Sequence, residues 1–385
     1  MGVFRGLKVL GVFGVLSLIG CSGEHIEGPE TTGGETQQTT EVAIAFLADL
    51  SEKQGVTRTS FLKDYVTTFR VWGYKNMSYN GTTGEYDDVL NVFPGYTVNW
   101  TAGTAQTTTS NTHDWEYVGQ GTDQTIKYWD WSAKAFRFFG YALGNATAPA
   151  EPNAVSNASS ATEVTFASTV SASTQADIDA APYFSELWFS NDNVNDYGSP
   201  VTLRFVKPFV RVKFQFMFID GLGFGREELS KIKFCPTVNT DVDPTNNRTI
   251  ATAGTVTVHY PLKGTSTTES WTTSGTSGLQ AFTIDWYEPS GTPDPSQPEV
   301  YPNSPEHCYY VLPATNQGSY TLEVAVVSDE IKTAVVPAEY MNWKTGFEYT
   351  YRFKITEGGI TLDIIQVGID DWVIRNTSEH TVYNW

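Results

Sequence analysis

Cys21 is the residue whose surroundings most clearly imply chemistry. It closes the run Leu18–Cys21, in which apolar and small residues precede the cysteine, and this is the arrangement of a bacterial lipobox. A cysteine at that position is acylated, and cleavage just before it makes it the first residue of the mature chain. More than one acyl chain holds a protein at a membrane far better than a single myristoyl chain does. The sequence therefore predicts lipidation at Cys21 and an exported protein anchored at the cell surface.

Residues 1–20 have the layout of the export signal that such a cysteine requires. Arg5 and Lys8 supply a positively charged start, and the uncharged apolar stretch from Val9 to Ile19 follows. This stretch is too short to span a bilayer as a helix, which needs about 20 apolar residues. We therefore expect a signal peptide that is removed from the mature protein.

Residues 21–40 are expected to form a lipidated, flexible tether. They contain almost no apolar side chains, so they are unable to bury a core. Their acidic residues are Glu24, Glu27, Glu30 and Glu35. Acidic residues soon after the lipidated cysteine resemble the surface-export signal of Bacteroidetes lipoproteins, and a simple solvated linker would have the same composition.

The two remaining cysteines are Cys235 and Cys308. An exported protein folds under oxidising conditions, so a disulfide between them is one prediction. Each cysteine also stands beside apolar residues, and two free, buried thiols are the other prediction. The sequence leaves both open, because pairing depends on the distance between the two Cα atoms.

No residue pattern predicts catalysis. The five histidines lack the spacing of a zinc-binding pair, and the chain has no G-x-S-x-G elbow, P-loop or dinucleotide fingerprint. The oxygen-rich loop from Asp241 to Asn247 does not have the spacing of an EF-hand, and a solvated turn explains it better. We expect no enzymatic activity, no cofactor and no metal site.

Composition and charge narrow the class of protein further. The chain has 43 acidic and 24 basic residues and a net charge of −19, so it should repel phosphate backbones and bind no nucleic acid. Aromatic residues make up 14% of the chain and charged residues only 17%. Short apolar runs are separated by Gly, Ser, Thr and Asn, which is typical of strands and turns. The predicted fold class is all-β.

Alternation of apolar and polar residues predicts the individual strands. It is clearest in Phe347–Ile355, where the Gly358-Gly359 turn that follows predicts a hairpin. Val210–Phe218 alternates in the same way. In Glu41–Leu50 both alternating sets are apolar, which predicts a first strand that is buried on both faces.

The spacing of the strands predicts two tandem β-sandwich domains. About half of the strands fall on each side of the turn residues Asn195–Pro200. We therefore place an N-terminal domain at residues 41–198 and a C-terminal domain at residues 199–385.

Several local patterns follow one another in a fixed order: Tyr128-Trp129-Asp130, Phe136–Tyr141, Val311-Leu312-Pro313, Tyr349-Thr350-Tyr351 and Asp371-Trp372. Together with the lipobox, this order resembles the fimbrillin or Mfa-like family of Bacteroidetes surface lipoproteins, over most of the chain after Val42. One departure is Lys207-Pro208, where members of the family often carry a histidine. The resemblance implies two transthyretin-like β-sandwich domains. It also implies a structural subunit of a surface-exposed fimbria or pilus, anchored to outer-membrane lipid, that binds other pilin subunits and supports adhesion.

The resemblance also implies an assembly route. A protease cuts after a basic residue in the loop that follows the first strand, and a strand from the next subunit fills the vacated groove. Here the candidate cut lies between Arg58 and Thr59, although Arg58 could equally be an ordinary loop arginine. The candidate donor is the C-terminal stretch, which could instead fold back on its own domain. Its proposed plug residues are Val373, Ile374, Val382, Tyr383 and Trp385.

A second class of function is a glycan-binding surface lipoprotein that does not polymerise. Aromatic side chains can stack on sugar rings, and Trp271 and Trp286 stand in or beside polar stretches. Most of the other tryptophans are expected to lie in the core. Under either reading, the adhesion partner would be a glycan or protein of a host or bacterial surface.

Overall fold

The computed structural model describes residues 41–50, 66–101, 114–144, 146–149, 161–192, 196–218, 230–237, 249–284, 300–302, 309–314, 318–325, 331–356, 359–369 and 378–381. The regular secondary structure of these residues is almost entirely β-strand, which confirms the all-β prediction. None of the helices in these ranges has the length and apolar content that crossing a membrane would require.

In chain order the strands begin with β1 (Phe46–Leu50), β2 (Thr68–Asn80), β3 (Glu85–Trp100), β4 (Trp115–Glu116), β5 (Ala135–Ala142), β6 (Glu163–Ser171), β7 (Tyr183–Ser185), β8 (Trp188–Asn191), β9 (Val201–Val206) and β10 (Val210–Phe218). They continue with β11 (Ser230–Pro236), β12 (Ile250–Pro261), β13 (Ser270–Leu279), β14 (Phe282–Ile284), β15 (Val300–Pro302), β16 (Tyr309–Val311), β17 (Tyr320–Ala325), β18 (Ile331–Val336), β19 (Phe347–Thr356), β20 (Gly359–Ile369) and β21 (Ser378–Thr381). A short helix α1 (Gln175–Ala180) precedes β7, and a 3-10 turn (Ala338–Tyr340) precedes β19.

These strands form four sheets. The first has the order β1-β9-β7-β5-β2-β3-β4, with β8 also paired to β5, and the second has the order β15-β10-β19-β20-β21, with β16 also paired to β10. The third has the order β14-β11-β17-β18, and the fourth has the order β13-β12-β6. The predicted hairpin is present, because β19 and β20 pair in antiparallel register.

Each pair of packed sheets encloses an apolar core. Phe214 and Tyr351 of the second sheet pack against Phe234 of the third, in one cluster of buried residues. The first sheet is buried on both faces. One face is covered by the fourth sheet, where the rings of Phe139 and Tyr260 stack with their centroids 4.1 Å apart.

Strands from both sides of residue 198 share the same sheets. Strand β9 lies after the predicted boundary and pairs with β1, and β12 pairs with β6. The strand pairing therefore groups residues 201–206 and 250–279 with the first half of the chain, which a simple division at residue 198 does not anticipate. The division into two tandem domains and their transthyretin-like topology stay predictions.

Helix α1 was not predicted from the sequence. Thr174 caps it, because its hydroxyl accepts a hydrogen bond from the Asp177 backbone N–H at 3.1 Å while the Asp177 carboxylate accepts one from the Thr174 N–H at 3.1 Å. This reciprocal pair satisfies two backbone donors that the start of a helix otherwise leaves unpaired. A helix of six residues is too short to show apolar periodicity, so the capping residues are its only clear signal in the sequence.

The first sheet buries one guanidinium, that of Arg137. Its side chain is fully buried and donates hydrogen bonds to the Asn76 side-chain oxygen Oδ1 at 3.3 Å and to the Ser266 backbone carbonyl at 2.7 Å. The Phe189 ring lies 4.7 Å from the guanidinium carbon. Burial lowers the pKa of Arg137 to about 10. Arg137 thereby connects β5 to the turn between β12 and β13.

Gly140 tests how tightly β2 and β5 pack. A Cβ at Gly140 would lie 2.0 Å from the Arg70 carbonyl oxygen, which belongs to the neighbouring backbone. We expect Gly140→Ala to lower the free energy of unfolding by about 2 to 3 kcal/mol, measured by urea denaturation. Gly81→Ala is the control, because the nearest atom there is 4.0 Å away. Equal stability of the two variants would contradict the packing described.

Candidate functional site

Strand β1 lies at the end of the first sheet and pairs with β9 in parallel. Phe46 stands opposite Val201, and the register continues to Leu50 opposite Phe205. Just before the strand, the Val201 N–H donates a hydrogen bond to the Ala45 carbonyl at 2.8 Å. Parallel strands are joined by long connections rather than by tight turns, and here most of the first half of the chain lies between the two.

The residues that lead into β1 are also held from the opposite side. The Ile44 N–H donates to the Lys127 carbonyl at 2.8 Å, and the Trp129 N–H donates to the Val42 carbonyl at 2.9 Å. The Tyr117 hydroxyl donates to the Ile44 carbonyl at 3.0 Å. The N-terminal strand therefore occupies a slot between β9 and the segment around Lys127.

Alternate side chains of this strand enter the core of the first sheet. Ile44, Phe46 and Ala48 are buried. The Phe46 ring meets the rings of Phe93 at 5.1 Å and Phe138 at 5.7 Å in edge-on contacts, a favoured geometry for aromatic pairs. We refer to the space that these side chains fill, together with the β9 edge, as the β1 groove.

Burial on both faces of this strand was predicted, and one face departs from that prediction. On the second face Ala45 is buried, but Leu47 is 38% exposed. The strand is thus a half-buried element with one strongly apolar face.

Tyr117 is the polar anchor of the groove. Its hydroxyl accepts a hydrogen bond from the Lys127 N–H at 3.0 Å while it donates to Ile44. Burial raises the pKa of Tyr117 well above its ordinary value, so the hydroxyl stays neutral and keeps its proton for this bond. Tyr117 was not singled out from the sequence, where an isolated tyrosine carries no sign of such a role.

Lys207 fixes the far end of β9. Its ammonium is buried, lies 4.1 Å from the centre of the Tyr183 ring, and donates hydrogen bonds to the backbone carbonyls of Asp179 and Ala181. These carbonyls end helix α1, where a cation is electrostatically favoured. Burial lowers the pKa of Lys207 to about 8. Lys207 is the position at which the sequence departs from the family pattern.

Most of the predicted site residues lie outside the described residues. These are Cys21, Arg58, Thr59, Trp286, Cys308, Val373, Ile374, Val382, Tyr383 and Trp385. Within the proposed donor stretch, Ser378–Thr381 forms β21 and pairs in antiparallel register with β20, with Val367 opposite Ser378. This part of the stretch is therefore folded back on its own chain.

The sulfur of Cys235 lies 3.8 Å from the Thr321 backbone carbonyl oxygen. Burial raises the pKa of this thiol, so the reactive thiolate is disfavoured. Because Cys308 lies outside the described residues, the disulfide between the two cysteines stays a prediction.

The glycan reading placed Trp271 at a sugar-binding surface. Trp271 is partly buried, its ring meets Phe184 edge-on at 5.8 Å, and its indole N–H lies 3.5 Å from Glu269. Trp131 is more open, with 49% of its surface exposed. Within the described ranges no group of three or more His, Cys, Asp or Glu side chains is placed to hold a metal ion.

Comparisons with known proteins give weak likenesses. No protein-family model matches the chain, and no curated protein matches its sequence. Among solved structures, a proposed cell adhesion protein from Bacteroides uniformis is 13% identical, covering 86% of this chain and 99% of that one, with a TM-score of 0.39. A fimbrial assembly protein from Parabacteroides distasonis is 9% identical, covering 89% and 100%, with a TM-score of 0.33.

The tip fimbrial protein Mfa3 from Porphyromonas gingivalis, with a C-terminal truncation, is 9% identical. That match covers 79% of this chain and 94% of the Mfa3 chain, with a TM-score of 0.30. Identities and TM-scores this low do not by themselves establish a shared fold or function.

Replacing the buried aromatic ring of β1 should weaken the first sheet. We expect Phe46→Ala to lower the free energy of unfolding by about 3 to 5 kcal/mol, since it leaves a cavity among Phe93, Tyr117 and Phe138. Leu47→Ala on the exposed face should cost about 0.5 kcal/mol or less. Urea denaturation measures both, and equal losses would show that β1 does not complete the core.

Lys207 predicts a specific pH dependence. Its folded-state pKa of about 8 lies below the ordinary value of 10.5, so between these values the unfolded chain binds more protons. The free energy of unfolding should therefore rise with pH in this window. The free energy of unfolding of the wild type, measured relative to that of Lys207→Met, should rise by about 3 kcal/mol as the pH is raised from below 8 to above 10.5. A constant difference between the two proteins would contradict a buried, protonated Lys207.

Proposed function

We propose that the protein is a structural subunit of a cell-surface fimbria that supports adhesion, exported as a lipoprotein through Cys21. In this proposal β1 is a temporary plug, and a strand of the next subunit replaces it in the filament. The partners are other pilin subunits and, before processing, outer-membrane lipid. No catalytic role is assigned.

The observation that carries the proposal is the position of β1 in the chain and in the core. It is the first described strand, and residues 51–65 alone connect it to the residues that precede β2. A cut in that connection, as at Arg58, would release β1 together with the lipid at Cys21. No connection between the later strands would be broken.

The vacated groove would be costly to leave empty. Phe93 and Phe138 would lose their contacts with the Phe46 ring, and the edge of β9 along Val201–Phe205 would lose the strand that pairs with it. An open strand edge beside an apolar groove is a site for pairing with another chain. β-Strand addition satisfies both needs at once, because the added strand supplies backbone hydrogen bonds and alternate side chains.

The C-terminal stretch is the proposed donor of that strand. Its residues Val373, Ile374, Val382, Tyr383 and Trp385 would replace the apolar face of β1. Since β21 pairs with β20 in the single chain, donation requires that this short pairing open first. A donor on one side and a groove on another give a head-to-tail contact, which extends into an open filament rather than closing a ring.

The N-terminus of the protein on the cell surface tests the proposal. Mass spectrometry of surface material should find Thr59 as the first residue, and Arg58→Ala should abolish both this N-terminus and polymer formation. Lys53→Ala is the matched control, because it removes another basic residue of the same connection, which also contains Lys63. An intact N-terminus at Cys21 in the polymer would contradict the plug mechanism and favour a lipidated anchor or tip subunit.

A further inference from the structure

The fourth sheet presents a long edge that is separate from the β1 groove. Strand β13 is the last strand of that sheet, and among the described strands only β12 pairs with it. From Ser270 to Leu279 it contains no charged residue and no proline. Natural proteins usually protect exposed edges with charges, prolines or bulges. The register shifts of this ladder lie opposite Gly275–Gly278, so the regular stretch Ser270–Ser274 has none of these devices and is available to a partner.

The backbone groups that face this open edge follow from the register. The Leu262 N–H donates to the Thr162 carbonyl at 2.8 Å, on the β6 side of β12. Hydrogen-bonded and non-bonded positions alternate in antiparallel pairs, so Val258 and Val256 also direct their backbone groups to β6. Trp271 and Thr273 stand opposite those two valines. Their own N–H and C=O groups therefore point away from β12, to the open edge.

A cleft of about 850 Å³ adjoins this edge and is also lined by Thr249 and Ala251 at the start of β12. On the β13 side, residues from Glu269 to Ser277 line it, a length of about 25 Å at about 3.4 Å per residue. Pro313–Ala314 and Trp343–Lys344 stand among the residues of the facing wall. A cleft with a second wall has room for a single extended strand, whereas the edge of another whole sheet would meet that wall.

Two polar groups of the wall lack partners. The Thr345 hydroxyl is buried without a hydrogen bond, and the exposed Lys344 ammonium has no carboxylate within ion-pair distance among the described residues. Glu269 is already engaged, since its carboxylate accepts a hydrogen bond from the Leu187 N–H at 2.8 Å. The cleft thus offers unpaired backbone groups and one unpaired cation.

We propose that this cleft binds one extended polypeptide segment of a partner by β-strand addition to β13, with an acidic side chain of that segment against Lys344. Serial backbone donors and acceptors along a strand edge match an extended polypeptide, and a sugar chain does not repeat that spacing. The site belongs to a different sheet from β1. It is present in the uncut protein and does not depend on the proposed removal of β1.

The test uses the purified full-length protein and a fluorescein-labelled, end-blocked Thr-Val-Thr-Val-Thr-Glu peptide. Thr273→Pro removes the edge N–H without removing a bond to β12, and proline is tolerated at such a position. Thr273→Val is the matched control, because it keeps the N–H. Fluorescence anisotropy should show binding to the wild type and Thr273→Val, and about tenfold weaker binding to Thr273→Pro.

Two further measurements keep the test independent of folding in the proline variant. A peptide with N-methylated amides should not bind the wild type, and Lys344→Gln should weaken the Glu peptide but not its Gln analogue. Equal binding by Thr273→Pro and Thr273→Val would overturn the proposal. So would absence of peptide binding to the wild type, or Trp271-dependent binding of an oligosaccharide such as maltohexaose in its place.

Discussion

The burial of Phe46 is the interaction on which one face of the first sheet depends. Its ring contacts Phe69, Phe93, Tyr117 and Phe138, so a single side chain links β2, β3, β5 and the residues that follow β4. The same strand pairs with β9 on one side, and the residues that lead into it bond to the segment around Lys127 on the other. Whatever occupies this place must supply both an apolar side chain and an extended backbone.

The other face of the first sheet does not depend on β1. Phe139 and Tyr141 are covered by Phe166 of β6 and, in the case of Phe139, by Tyr260 of β12, in a cluster to which β1 contributes nothing. Arg137 and Lys207 add buried polar links at the turn before β13 and at the end of β9. This division explains how a subunit without β1 could remain folded and still carry an empty groove.

Local periodicity gave the strands but not their partners. Alternation in Phe347–Ile355 predicted a hairpin that the structure contains, since both strands and their turn lie in one stretch of sequence. The pairing of β1 with β9, and that of β12 with β6, joins residues far apart in the chain, and no periodicity encodes such a choice. Both pairings cross residue 198, where a turn suggested a domain boundary, and the division into two domains stays a prediction.

Some features of the candidate site were predicted from the sequence and others were not. The apolar character of Glu41–Leu50 indicated a core strand, and Ile44, Phe46 and Ala48 are indeed buried. Its exposed Leu47 was not foreseen, because apolar type alone does not say which face receives a covering layer. Tyr117 and Lys207 act through hydrogen bonds to backbone carbonyls, and such bonds leave no pattern in the side-chain sequence.

Amide hydrogen exchange of Val201, Leu203 and Phe205, whose N–H groups face β1, tests the central claim most directly. These amides should be protected in the intact chain, exchange rapidly in a cleaved monomer that has lost β1, and be protected again in the polymer. Strong protection in the cleaved monomer would show that β9 needs no replacement strand, and would contradict the account.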